Sequence, residues 1–171
     1  VTGDPLTKTI NVAVKGVPDT PEMTVEIPVY SEAELDDGST SIQLSDIITN
    51  ATSGETTGDG SETLSFRITG LDAQFNIEGA TLVSGEGAER VWVTTDPDAV
   101  TISALENFSG EVGFKVSPIV TENDGASTQF ADQEVTFQVT PSPEATFSVE
   151  SSLSEDSLGQ LDFSIVHENG D

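Results

Sequence analysis

Short segments in which apolar and polar residues alternate recur along this chain of 171 residues. The clearest examples each place three apolar side chains on one face, and they cover residues 10–14, 64–68, 112–116 and 135–139. Successive side chains of a β-strand point to opposite faces of its sheet. A period of two therefore predicts strands with one buried face and one solvated face.

Weaker signals predict additional strands at about residues 23–29, 40–44, 74–83, 89–94, 99–104, 145–150 and 160–166. Gly, Asp, Asn, Ser and Thr fill the gaps between them, as turns require. The helical signal is confined to residues 44–48, where Ser45 could cap a single turn. Short strands at regular spacing without crossover helices predict an all-β fold, an antiparallel Greek-key β-sandwich.

Two acidic hinges that contain proline divide the chain, at residues 16–22 and 140–144. The sequence at the end of the first hinge is repeated approximately at the end of the second. Pro21-Glu22-Met23-Thr24-Val25-Glu26 resembles Pro143-Glu144-Ala145-Thr146-Phe147-Ser148-Val149-Glu150, at an offset of 143 − 21 = 122 positions. Such self-similarity indicates a tandem array. The expected divisions are the last strand of a preceding repeat (1–18), a complete β-sandwich unit (19–141) and the first strands of the next repeat (142–171).

The charge balance limits the possible partners. The chain has 31 Asp and Glu against 5 Lys and Arg, a formal net charge of -26. Phosphate binding needs a basic surface, so nucleic acid is excluded as a partner. Carboxylates crowded on a compact body repel one another, and a hard divalent cation with oxygen ligands would relieve that repulsion. Calcium is therefore the expected cofactor.

Cysteine and membrane signals agree with an extracellular setting. The chain has no cysteine, so metal ions would take the stabilising role that disulfides have in many small secreted domains. Its apolar runs fall well short of the roughly 20 residues that span a bilayer, and we expect no membrane insertion.

Several motifs resemble the cadherin-like and immunoglobulin-like repeats of giant bacterial adhesins exported by type I secretion, the RTX adhesins. They are the hinge Val17-Pro18-Asp19-Thr20-Pro21, the turn Asp59-Gly60-Ser61-Glu62-Thr63-Leu64, the turn Glu106-Asn107-Phe108-Ser109-Gly110 and the closing strand 135–140. The resemblance covers roughly residues 19–141. It implies a secreted, calcium-stabilised module at the bacterial cell surface that acts in attachment or biofilm formation. The Thr- and Gly-rich stretch 49–58 is longer than a plain spacer repeat requires.

Candidate metal ligands lie in the acidic loops and at the hinges. Calcium takes six to eight oxygens, which short turns supply from carboxylates and backbone carbonyls together. The alternative is a set of solvated acidic loops. The loops that hold Asp59 and Glu32 would share one end of the sandwich if the intervening strands were antiparallel neighbours. The predicted ligands are Asp59, Glu62, Glu32, Glu34, Asp36, Asp37, Asp19, Glu22, Glu122, Asp124 and Glu144.

Residues for catalysis are few, and we expect that the chain is not an enzyme. The sole histidine is His167, close to residue 171. A Ser-His-Asp triad would have to use this histidine, so we do not expect one. Tyr30, Trp92 and Phe130 could stack on a sugar, but Trp92 lies in Val91-Trp92-Val93, where core packing is the expected role.

Two functions stay open from the sequence. One is a rigid spacer whose calcium ions lock the strands and joints between neighbouring repeats of the same chain. The other is a calcium-dependent ligand-binding domain that captures a peptide C-terminal carboxylate or a sugar on a host or microbial surface; adhesins similar to this chain contain such domains. A module accessory to a glycoside hydrolase is a distant third. We also expect a monomer.

Overall fold

The computed structural model describes residues 8–32, 35, 41–55, 58, 60–104 and 108–142, together with the backbone of residues 145–150 and 162–167. Strands dominate these ranges, as the alternating sequence pattern predicts. They are β1 (Glu22–Val25), β2 (Tyr30–Ser31), β3 (Ile42–Gln43), β4 (Ile48–Thr52), β5 (Glu62–Thr69), β6 (Asn76–Glu78), β7 (Thr81–Ser84), β8 (Val91–Thr94), β9 (Thr101–Ser103), β10 (Gly110–Glu122), β11 (Ser127–Gln129), β12 (Gln133–Thr140), β13 (Ala145–Glu150) and β14 (Asp162–His167).

The strands are arranged as the two layers of a β-sandwich. One layer is a seven-stranded sheet in the order β2-β12-β10-β5-β8-β7, with β11 also paired to β10. The other contains the sheet β3-β9-β6 and the pair β1-β4. All pairs are antiparallel except β2 with β12, which is parallel. Strands β13 and β14 pair with each other as a separate hairpin.

Apolar side chains from both layers meet in one core. In β10 and β12 the alternating residues all point inward and are buried: Val112, Phe114, Val116, Val135, Phe137 and Val139. From the opposite layer, Ile102 of β9 is fully buried between its cross-strand partners Ile42 and Ile77. The burial of one face of each strand thus accounts for the alternation.

A single-turn helix, α1 (Leu44–Ile47), lies between β3 and β4. It buries Leu44 and Ile47 in the core, which explains the local apolar spacing of three. The predicted helical turn is confirmed, but the predicted cap is wrong. The N-cap position is Gln43, and its side chain makes no capping hydrogen bond, so tertiary packing stabilises this turn.

Other differences from the predicted strands have local causes. The predicted strand at 10–14 does not form, since residues 8–20 contain neither helix nor strand. The predicted strand 74–83 is two strands, β6 and β7, because the chain bends at Gly79-Ala80 and joins different layers on either side. The predicted strand 23–29 ends at Val25 as β1, and the chain then crosses to the other layer as β2.

Strand β10 fixes the two ends of the sandwich. At its last residue, Glu122 pairs with Glu62 of β5, and at its first residue, Gly110 pairs with Val139 of β12. Val139 in turn pairs with Tyr30 of β2. The incoming linker, residues 16–21, therefore reaches the sandwich at one end of β10, and the outgoing linker, residues 140–142, leaves at the other.

The core predicts a clear stability difference between buried and exposed apolar positions. Ile102→Ala should lower the free energy of unfolding by about 2–5 kcal/mol, because it removes buried methyl groups and leaves a cavity. Val29→Ala, at a position 83% exposed, should change it by less than about 0.5 kcal/mol. Urea unfolding followed by the fluorescence of Trp92 measures both, and equal effects would contradict this packing.

Candidate functional site

The incoming linker is held against the acidic end of the sandwich by two carboxylates. The backbone N–H of Gly16 donates to Oδ2 of Asp124 at 2.9 Å. The backbone N–H of Asp19 donates to Oε1 of Glu62 at 2.6 Å. Hydrogen bonds to a charged acceptor are roughly twice as strong as neutral ones, so the linker has a defined position on the sandwich.

Two glycines allow this close approach. A Cβ added at Gly16 would lie 2.5 Å from Cδ of Glu122, and one added at Gly54 would overlap the backbone oxygen of Thr20. Gly54 also has a φ of +85°, a conformation that side chains other than glycine rarely adopt. A larger residue at Gly54 would therefore displace the linker.

The two strands at this end carry glutamates directly opposite each other. Glu62 of β5 and Glu122 of β10 are register partners, and like charges in such a cross-strand pair are destabilising. Within the described residues, Oε2 of Glu62 is buried and has no hydrogen-bond partner. A buried carboxylate oxygen without a donor is costly, and a cation would relieve both effects.

Asp124 lies in the turn between β10 and β11. Its Oδ1 accepts a hydrogen bond from the backbone N–H of Ala126 at 2.9 Å, while Oδ2 accepts the bond from Gly16. These two donors, Ala126 first, lower the pKa of Asp124 below its ordinary value of 3.8. The side chain of the neighbouring Asn123 donates to the backbone oxygen of Gly60 at 3.3 Å, which ties the turn to the start of β5.

The outgoing linker is held at the opposite end by the same kind of bond. Oε2 of Glu32 accepts a hydrogen bond from the backbone N–H of Ser142 at 2.9 Å. The side chain of Glu32 is only 3% exposed, so this carboxylate is withdrawn from bulk water. Both linkers are thus held by carboxylates of the sandwich that accept hydrogen bonds from backbone N–H groups.

The predicted ligand residues separate into two ends. Glu62, Glu122 and Asp124 lie at the incoming end with Asp19, whereas Glu32 lies at the outgoing end. The condition for a shared end is not met, because the intervening strands β3 and β4 pair with β9 and β1 and not with each other. Glu62 lies level with the last residue of β10, whereas Glu32 follows β2, which is level with the first residue of β10. Exposed Glu22 lies on β1, opposite Thr52.

The remaining predicted ligands lie outside the described residues: Asp59, Glu34, Asp36, Asp37 and Glu144. Among the residues that are described, no three Asp, Glu or His side chains form a group that could hold a metal ion. In this part of the chain the acidic end supplies the opposed pair Glu62 and Glu122, and a cation there would also need oxygens from backbone carbonyls or from other residues.

Sequence reasoning missed two residues of this end. Glu55 accepts hydrogen bonds at Oε1 from the backbone N–H and the hydroxyl of Ser61, at 3.1 and 3.4 Å, and so orders the entry to β5. Glu55 belongs to the long 49–58 stretch, whose length is the signal that could have identified it. Gly16 was read only as part of the hinge, since nothing local in the sequence indicates its contact with the turn after β10.

The aromatic residues have different environments. Trp92 and Tyr30 are 4% and 7% exposed and belong to the core, which confirms the expectation for Trp92. The guanidinium of Arg90 lies 4.6 Å from the centroid of the Trp92 ring. Phe130 is half-buried and, with Met23 and Pro21, lines an apolar groove of about 240 Å³ beside the incoming linker.

Comparison with known proteins places the chain in no family: no family model, no curated protein and no solved structure matches it. Within the described ranges, no helix is long and apolar enough to cross a membrane.

The bond from Gly16 to Asp124 predicts a linker that acid releases. A carboxyl group whose pKa is lowered in the folded state stabilises that state at neutral pH, and the stabilisation is lost as the pH falls through the lowered value. We expect the Gly16 amide to be protected from hydrogen exchange at neutral pH and to lose protection below about pH 4.

The substitution Asp124→Asn should remove most of this pH dependence, because the side chain no longer titrates. Asp46→Asn, at an exposed position of α1, is the matched control and should leave it unchanged. Hydrogen exchange of the Gly16 amide measured by NMR makes the comparison. Equal pH profiles for Asp124→Asn and the native chain would contradict this role.

Proposed function

We propose that this chain is a calcium-dependent cell-adhesion module of a large bacterial surface adhesin, secreted to the cell surface, where it acts as a rigid unit in attachment or biofilm formation. The observation that carries the proposal is the incoming joint. There, carboxylates of the sandwich hold the linker, two glutamates oppose each other, and Glu62 keeps a buried oxygen without a donor.

The residues at this joint suit a hard cation. Calcium prefers oxygen ligands, and Glu62 Oε2 with the carboxylate of Glu122 would provide the first of them. Asp19 is exposed, and its backbone N–H bonds to Glu62. Asp59 is three positions before Glu62 in the sequence. Bound calcium would supply a positive charge beside the buried Oε2 of Glu62.

The role of the chain itself is to position the joint. Asp124 and Glu62 accept N–H groups of residues 16–19, and Glu32 accepts that of Ser142, so each linker leaves the sandwich in one direction. Neutralising the carboxylates at the incoming joint would remove their mutual repulsion and stiffen it. A row of such units would then extend away from the cell, as a spacer between neighbouring repeats requires.

A second candidate function is ligand capture at the same end. The apolar groove beside the incoming linker offers Phe130, Met23 and Pro118 as an apolar surface and Gln133 as a hydrogen-bonding group. A peptide or a glycan from a host or microbial surface could bind there while the joint stays fixed. The groove is what favours this candidate over a spacer alone.

Removal of calcium tests the main proposal. At a free calcium concentration one hundred times its Kd, a calcium site adds about 2.7 kcal/mol to the free energy of unfolding. Excess EGTA should therefore lower the Tm by roughly 5–10 °C for each site. Glu62→Gln should lose most of the calcium-dependent increment but retain the fold. The matched control Glu78→Gln, an exposed position on β6, should keep it. A native chain with the same Tm in calcium and in EGTA would refute the proposal.

The second candidate is tested by titrating a panel of short peptides and sugars against the protein in calcium, with NMR chemical shifts as the readout. Phe130→Ala should weaken any binding by roughly tenfold to a hundredfold, the value of burying one aromatic side chain. Val29→Ala should not weaken it. If no member of the panel shifts the resonances of the groove, the spacer function stands alone.

A further inference from the structure

Residues 50–52 read Asn50-Ala51-Thr52, the Asn-x-Thr motif at which glycosyltransferases attach sugars to asparagine. So short a motif also occurs by chance, and the surroundings of the asparagine decide whether it can carry a sugar. The folded chain must expose the asparagine amide and the threonine hydroxyl, and it must leave room for a bulky, hydrated group. Strand β4, which contains the motif, meets these conditions.

Asn50 lies at a β-bulge. The pairing of β1 with β4 shifts by one residue between Glu22 and Thr24, so Asn50 and Ala51 together oppose the single residue Met23. Asn50 has a φ of +52°, and every other positive φ among the described residues belongs to a glycine. Bulges redirect a side chain relative to the regular strand and are common beside functional sites.

The side chain of Asn50 forms no bond that explains its presence at this position. Glycine adopts a positive φ without steric cost, whereas asparagine tolerates it less well than glycine and better than most other residues. Asn50 is exposed, and within the described residues its amide has no hydrogen-bond partner. An unusual backbone conformation at a side chain that bonds to nothing in this part of the chain suggests a function for that side chain.

Thr52 supplies the hydroxyl of the motif. It is exposed at the end of β4, and among the described residues its hydroxyl has no partner. Thr49, on the other side of Asn50, is different, because its hydroxyl donates to Oε1 of Glu26 at 3.0 Å. Of the two threonines that flank Asn50, the one in the motif is therefore the one whose hydroxyl is available.

The β1–β4 pair leaves room for an attached group. In the described part of the chain, β4 pairs only with β1, so one side of this strand is an open sheet edge. A sugar on the exposed Asn50 would extend into solvent and displace no core side chain. It would also cover part of an edge whose free N–H and C=O groups can pair with other chains.

We propose that Asn50 is an N-linked glycosylation site, modified by a separate glycosyltransferase that uses a glycosyl diphosphate as its donor. Nδ2 of Asn50 forms a bond to the anomeric carbon of the sugar. The bond from that carbon to the diphosphate breaks, the diphosphate leaves with the electron pair, and one amide proton passes to a base of the transferase. The modification does not depend on calcium, so it is separable from the function proposed above.

A second copy of the motif, Asn107-Phe108-Ser109, has different surroundings. Phe108 packs edge-on against Phe75, with ring centroids 4.8 Å apart, so the middle residue of this copy is tied to the core. Asn107 lies outside the described residues. The proposal therefore concerns Asn50.

Mass spectrometry of the protein recovered from the cells that make it tests the proposal. We expect the peptide that contains Asn50 to carry the mass of one or more sugars, and fragmentation should place that mass on Asn50. A ladder of single sugars would indicate stepwise transfer from a nucleotide-linked donor. One uniform block would indicate transfer of an assembled oligosaccharide from a lipid-linked donor. An unmodified Asn50 in protein from these cells would overturn the proposal.

Variants expressed in the same cells separate the motif from the fold. Asn50→Gly suits the positive φ and removes the acceptor, and Thr52→Ala removes the hydroxyl, so each should abolish the modification. Thr52→Ser keeps a hydroxyl and should preserve it, as should the matched control Thr49→Ala outside the motif. Modification that survives Thr52→Ala would contradict the proposal. An unmodified native chain whose Tm still rises with calcium would overturn this inference and leave the adhesion function standing.

Discussion

Strand β10 is 13 residues long and pairs with β5, β11 and β12. It therefore runs from one end of the sandwich to the other. Its last residue brings Glu122 opposite Glu62, and its first brings Gly110 level with the end of β12. The positions of both linkers follow from these two registers. A shift of one residue in the pairing would turn the inward side chains outward and would also separate the carboxylates from the linker amides they hold.

Electrostatics adds a second constraint to this frame. Carboxylates on a chain so acidic oppose the compact state, yet at the linkers they are placed as acceptors for backbone N–H groups. Glu32 and Asp124 use their charge in this way, and Glu62 does so with one oxygen while the other stays buried without a donor. In the described part of the chain, the protein thus supplies a donor to Oε1 of Glu62 but none to Oε2. A cation could bind at Oε2.

Most of the strands could be predicted from the sequence, because a strand with one buried face has alternating apolar and polar residues. The alternations at 64–68, 112–116 and 135–139 all lie within strands whose inward residues face the core. The alternation at 10–14 is as regular but forms no strand, since the pattern records a tendency to pair and not the presence of a partner. The division of the ligands between two ends, and the role of Glu55, depend on which strands become neighbours, and no local pattern contains that information.

The opposite placement of the two linkers determines how the module would bear a load. Tension applied through the linkers would enter through β1, which follows the incoming linker and pairs with β4, and would leave through β12 at the Ser142 end. The hydrogen bonds between β10 and β12 lie across the strand direction, and the whole ladder would have to slide at once for the strands to part. Pulling on neighbouring strands from the same end would instead break those bonds one at a time. The same geometry that positions the linkers would thus make the sandwich resist stretching between the two linkers.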